Sequence, residues 1–193
     1  VFNWPYGIDI NPLDGGVWYS KVLANKIGHI DPVTHEVTEY DVPHKGPRRL
    51  RFGADGSLWI PSFDEGYLMR FDTQSKTFES IALPLLAANE YEIPYALNVD
   101  KHGDVWIATN NADRVMRYIP AQKKFIAYPM PNRVIWFRDF EFTQDGRVCT
   151  SNSNLPAYAH EDGLPAFVCI QPDVADTGTL QPVHQHAAVM ATK

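Results

Sequence analysis

The sequence predicts an all-β propeller built of four-stranded antiparallel blades, and three observations predict it. A small turn followed by an apolar strand recurs as "LDGGVWYS" (13–20), "ADGSLWIPS" (54–62), "KHGDVWIAT" (101–109) and "QDGRVCTS" (144–151). The central slots, Trp18, Trp59, Trp106 and Cys149, stand 41, 47 and 43 residues apart. Around each slot sit three further short strands, and a repeat of that length with four strands is the mark of a propeller blade.

The first unit, residues 4–43, opens with "PYGIDI" (5–10) and ends in the hairpin "ANKIGHIDPVTHEVTEYDVP" (24–43). Apolar residues fall near every second place in that hairpin, and Asp31-Pro32 supplies the turn between its strands. The second unit, 47–84, repeats the plan with "PRRLRF" (47–52) and "YLMRFDTQSKTFESIALP" (67–84). The third, 94–131, does so with "PYALNVD" (94–100) and "RVMRYIPAQKKFIAYPMP" (114–131). The fourth, 137–173, starts with "FRDFEF" (137–142), keeps a frayed "AFVCIQPD" (166–173) and is incomplete; residues 174–193 read as a C-terminal tail. "ALPLLAANEYE" (82–92) has the best helical pattern in the chain, and we read it as a loop insertion that stretches the second interval. Propellers close with roughly four to eight blades, so the chain is either a four-bladed ring or a piece of a larger one, and a piece is expected.

Composition fits this plan. Of 193 residues 45% are hydrophobic and 12% aromatic, enough for a core, and no apolar run is long enough for a membrane span. A formal charge of −6 argues against nucleic acid, whose binders carry a basic face. Cys149 and Cys169 occupy facing slots on neighbouring antiparallel strands. A cross-strand bridge is geometrically allowed there, and two half-buried thiols are the other reading.

With the blade pattern in hand, the residues "PYGIDI…GGVWYSKVLANKIGHIDP…TEYDVP" resemble the blade signature of the virginiamycin B lyases, or streptogramin lyases. The likeness covers 4–131 closely and 137–173 loosely. It implies a seven-bladed propeller that opens cyclic depsipeptides by elimination, with magnesium polarising the ester and His and Glu side chains serving as base and ligands. It also implies export to a periplasmic or extracellular space, in line with a disulfide. The family's catalytic His follows the Pro of an innermost strand, but that slot here holds Tyr6, Arg48, Tyr95 and Arg138. The slot often filled by Glu, three places after the Trp, holds Lys21, Ser62, Thr109 and Asn152. Glu92 lies one residue out of register with the family's Glu before the Pro-His pair. Any lyase groups would therefore sit on further blades.

Repeats superpose by rotation, so Tyr6, Arg48, Tyr95 and Arg138 should share one height around one mouth. Two phenols and two guanidiniums suit an anionic or polar small ligand. The competing reading is inter-blade pairing, since Asp9, Arg51, Asn98 and Glu141 follow three places later with alternating charge. Asn98, Asp9 and Glu141 also hint at the metal cage of a gluconolactonase-type hydrolase. For proton transfer the candidates are Glu92, Tyr95, and the neighbours His160 and Glu161 on the irregular loop 152–166. His184 and His186 read as tail, and "NNADR" (110–114) as a turn rather than a calcium loop. Beyond a small ligand, the expected partners are further blades or another chain.

Overall fold

The computed structural model describes residues 4–131, 135–152 and 166–172. Chain order is sheet order, as expected when each strand returns beside its predecessor through a short connection. The first sheet is β1 (Pro5–Ile10), β2 (Val17–Lys21), β3 (Lys26–Ile30) and β4 (Val37–Asp41). The second is β5 (Arg51–Phe52), β6 (Leu58–Ser62), β7 (Tyr67–Asp72) and β8 (Thr77–Ala82). The third is β9 (Pro94–Val99), β10 (Val105–Thr109), β11 (Arg114–Ile119) and β12 (Lys124–Pro129). The fourth has three strands, β13 (Glu141–Phe142), β14 (Val148–Asn152) and β15 (Ala166–Ile170). Among the described residues there is no helix, and none long and apolar enough to cross a membrane. Residues 83–93 are a connection with one isolated bridge, between Ala87 and Glu90.

The tight turns have local causes. Asp31 accepts the amides of Val33 and Thr34, both at 2.8 Å, and Asp72 does the same for Gln74 and Ser75 at 2.8 and 2.9 Å. Gly56 and Gly103 take φ of 79° and 84°, which a side chain would strain.

Burial explains why the blades assemble. Trp18 and Ile27 of the first sheet pack with Leu50, Leu58, Ile60, Met69 and Phe71 of the second. Trp59 and Leu68 of the second pack with Leu97, Val105, Ile107 and Met116 of the third. Trp106 and Val115 of the third pack with Phe137, Phe140, Val148 and Ile170 of the fourth region. Successive side chains on a strand point to opposite faces, so each central blade feeds both cores. Hence β6 and β10 are buried along their whole length, whereas β2 alternates. The three tryptophans are core, at 1%, 4% and 0% exposure.

Register puts His29, Arg70 and Arg117 opposite Trp18, Trp59 and Trp106. His29 stacks on its indole at 4.7 Å, and the two guanidiniums lie 5.7 and 5.4 Å from theirs. In the fourth blade that pair becomes Cys149 opposite Cys169, with the sulfurs bonded.

The bridge closes a loop of 20 residues, and chain-entropy reasoning assigns it about 3 kcal/mol. Urea unfolding with and without reductant should show a loss of that order, and Cys149→Ser should then lose no further stability on reduction.

A cationic aromatic mouth

The slot residues stand together because adjacent innermost strands start at one rim and approach closely. A Cβ on Gly7 would meet the Arg48 carbonyl oxygen at 2.6 Å, so only glycine fits beside the second blade. The Ser20 hydroxyl accepts from the Gly7 amide at 2.8 Å and donates to the Arg48 carbonyl at 2.5 Å. This buried bridge sets the height of Tyr6 against Arg48. In the fourth blade Thr150 similarly donates to the Asp139 carbonyl at 2.6 Å.

At the mouth the hydroxyls of Tyr6 and Tyr95 are hydrogen-bonded, with the rings edge to face at 6.1 Å. Arg48 lies over the Phe63 ring at 3.6 Å and within 5.2 Å of both tyrosine rings. Arg138 donates to the Tyr95 hydroxyl at 3.3 Å. Arg49 stands 6.0 and 5.9 Å from the two tyrosine rings, and Trp136 packs edge-on to Tyr95 at 6.3 Å. Tyr6 is 38% exposed while Tyr95 is nearly covered, at 3%. One phenol faces the solvent and the other lies beneath it.

Burial pushes the ionisation of both phenols upward. At Tyr95 the hydrogen bond donated by Tyr6 and the charges of Arg138 and Arg49 outweigh burial, so its hydroxyl lies below the ordinary phenol value. Tyr6, buried in part and donating to Tyr95, lies above it. The pair therefore ionises first at the inner oxygen, next to the cations.

Pairing between blades does occur, though not among the four residues three places after the slots. Arg51 pairs with Asp139 at 2.6 Å, and Arg49 reaches the same carboxylate oxygen at 3.8 Å. Asp9 instead accepts the Phe52 amide at 2.8 Å, and Asn98 donates to the Phe140 carbonyl at 2.7 Å. Both tie one innermost strand to the backbone of the next. No carboxylate among the described residues is within ion-pair distance of Arg48, and its Nε is buried without a hydrogen-bond partner.

Asp9 and Asn98 are thus spent on backbone, and the described residues contain no group of three His, Cys, Asp or Glu side chains able to hold a metal. Three guanidiniums at the rim also oppose a dication. The described residues do not fit the magnesium that the resemblance implies. Glu92 is buried and paired with Arg114. Burial raises its carboxyl against the opposing pull of Arg114. His160 and Glu161 lie outside the described residues. Phe63, Trp136 and Asp139 are site residues that the repeat pattern does not single out. Phe63 directly follows the slot residue Ser62, and Asp139 follows Arg138, which is the only sequence signal for either.

Neither a protein-family model nor a curated protein matches the sequence. Solved structures match it in shape. A streptogramin B lyase structure superposes with TM-score 0.67 at 19% identity, over 88% of this chain and 55% of its own. Virginiamycin B lyase from Staphylococcus aureus gives 0.67 at 22% identity, over 84% and 54%. A structure described as a candidate gluconolactonase gives 0.66 at 17%, over 86% and 63%. These likenesses define the class: an all-β propeller of the shape shared by those proteins. The chain spans a little over half the length of the two lyase structures.

Absorbance at 295 nm across an alkaline titration should show one phenol ionising below the ordinary value of 10.0. Tyr95→Phe should remove that step, and Arg138→Ala should move it upward. An unchanged curve in both variants would mean the cations do not act on this pair.

Proposed function

We propose that this mouth binds a small anionic ligand, a carboxylate or phosphate, with Arg48, Arg49 and Arg138 as the cationic receptors. The observation that carries the reading is Arg48: a guanidinium seated on Phe63, beside two phenols, with no carboxylate partner among the described residues. A guanidinium left without a carboxylate counter-charge is a ready fork for two anion oxygens. Tyr6, the more exposed of the two phenols, offers its hydroxyl to the ligand, and Tyr95 beneath it tunes the proton on that hydroxyl. The aromatic edges of Trp136 and Phe63 suit a flat or ring-bearing body.

Shape supports a second reading. One similar structure is a catalytically inactive virginiamycin B lyase from Staphylococcus aureus with quinupristin. Ring opening of such a depsipeptide by this protein would require a base and metal ligands from outside the described residues. The disulfide and two neighbours described as extracellular domains support a secreted or periplasmic protein. Ile8, Ile10 and Leu13, exposed at 63%, 58% and 63%, support further blades or another chain beside the first blade.

Calorimetric titration with benzoate and with inorganic phosphate tests the main reading. A charge-assisted hydrogen bond is worth roughly 1.5–3 kcal/mol, so Arg48→Ala and Arg138→Ala should each weaken binding about tenfold or more. Equal binding by folded variants would refute it. Magnesium-dependent conversion of quinupristin to a product of unchanged mass would instead establish the elimination.

A further inference from the structure

The seams between blades are built from one set of places, and the first blade carries half of that set without a neighbour. Two places after the slot residues stand Leu50, Leu97 and Phe140, each fully buried against the preceding blade. The first blade has Ile8 there, and it is 63% exposed. Two places further on, Phe52, Val99 and Phe142 pack into the same seams, whereas Ile10 is 58% exposed. Register makes the match exact in place. Ile10 faces Val17 across β1 and β2, as Phe52 faces Leu58, Val99 faces Val105 and Phe142 faces Val148. Ile8 faces Tyr19 as Leu97 faces Ile107. Side chains two apart on a strand share a face, so Ile8 and Ile10 form the surface that a preceding blade covers elsewhere in the molecule.

The fourth blade carries the other half. Ile27, Leu68 and Val115 lie two places before His29, Arg70 and Arg117 on the third strands, and each is fully buried against the following blade. Phe167 lies two places before Cys169 and is 75% exposed. It faces Ser151, as Ile27 faces Ser20, Leu68 faces Pro61 and Val115 faces Ala108. Glu141 holds the place of Asp9 and Asn98, whose side chains reach the backbone of the next innermost strand, and it is exposed. Large apolar side chains left in water at places that the internal seams bury mark an interface. The two open faces are also complementary, because each internal seam joins one face of the first kind to one of the second.

A second copy of this chain supplies both faces at once. Head to tail, the fourth blade of each copy covers the first blade of the other, and the four described sheets of each copy fall within the number at which propellers close. We propose that two copies of the 193-residue chain join in this way, Phe167 of one packing against Ile8 and Ile10 of the other. The proposal rests on the reading that a blade lies beside the first one and is independent of the anion site. Light scattering on the eluting protein should give twice the 21.9 kDa of one chain. Ile8→Asp and Phe167→Asp should each elute as single chains with unchanged circular dichroism, since both residues are exposed in the single chain. An equimolar mixture of the two variants should regain the doubled mass, because the Phe167 face of one and the Ile8 face of the other are intact. A dimer that survives Phe167→Asp would mean that first-blade faces pair with each other, and would overturn the assignment. A monomeric parent chain would overturn it too; hydrophobic-dye fluorescence, lower in Ile8→Asp than in that parent, would then leave the face to blades of another polypeptide.

Discussion

Everything in this molecule depends on the burial of apolar side chains between successive blades. No blade has a core of its own. A single four-stranded sheet has two faces, and water must be kept from both where tryptophan, leucine and phenylalanine project. Trp18, Trp59 and Trp106 each fill the gap toward the next blade, while their neighbours Leu58, Ile60, Val105 and Ile107 fill the gap behind. Replacing a buried Trp by Ala typically costs about 3–5 kcal/mol, so each gap is a large share of the stability of a chain this size. The first blade shows the other side of the same constraint. Its β1 leaves Ile8 and Ile10 exposed, since no described blade covers that face.

Packing between blades also builds the chemistry. Polar side chains at the seams satisfy backbone groups of the next innermost strand: Ser20 on Arg48, Asp9 on Phe52, Asn98 on Phe140. Those bonds are short and partly or wholly buried, and they bring the strand starts to one level. The slot residues then have nowhere to go but the shared opening, where Tyr6 meets Tyr95 across the second blade. The result is a rim with three guanidiniums and two phenols. Beside it the 83–93 insertion and the loop after β6 enclose a cavity lined by Asp64, Glu90, Tyr91 and Glu92, with Phe63 on its wall.

Much of this was legible in the chain. The Trp spacing identified the blades, and slot equivalence brought Tyr6, Arg48, Tyr95 and Arg138 to one rim. Alignment of the third strands placed Cys169 opposite Cys149. Periodicity could do this because a strand's side-chain direction follows a period of two and repeats are related by rotation. It failed at features that do not repeat. Inter-blade pairing was weighed among Asp9, Arg51, Asn98 and Glu141, and Arg51 does pair across blades, but with Asp139, a residue displaced by two from the matching slot. Glu92 was weighed as a relic of a catalytic position, yet it holds Arg114, 22 residues away, at the edge of a cavity.

The sequence by itself determined the strands, the blade order, which faces are apolar and which residues occupy equivalent slots, because those follow from local geometry and the repeat. Only the tertiary structure decided which charges remain without partners. Pairing depends on how far a side chain reaches across a seam, and on where irregular connections such as 83–93 bring their backbone. Neither has a period to read. Arg48 rests on an aromatic ring rather than a carboxylate, and Glu92 meets Arg114 in a buried pair, because long-range packing placed those groups.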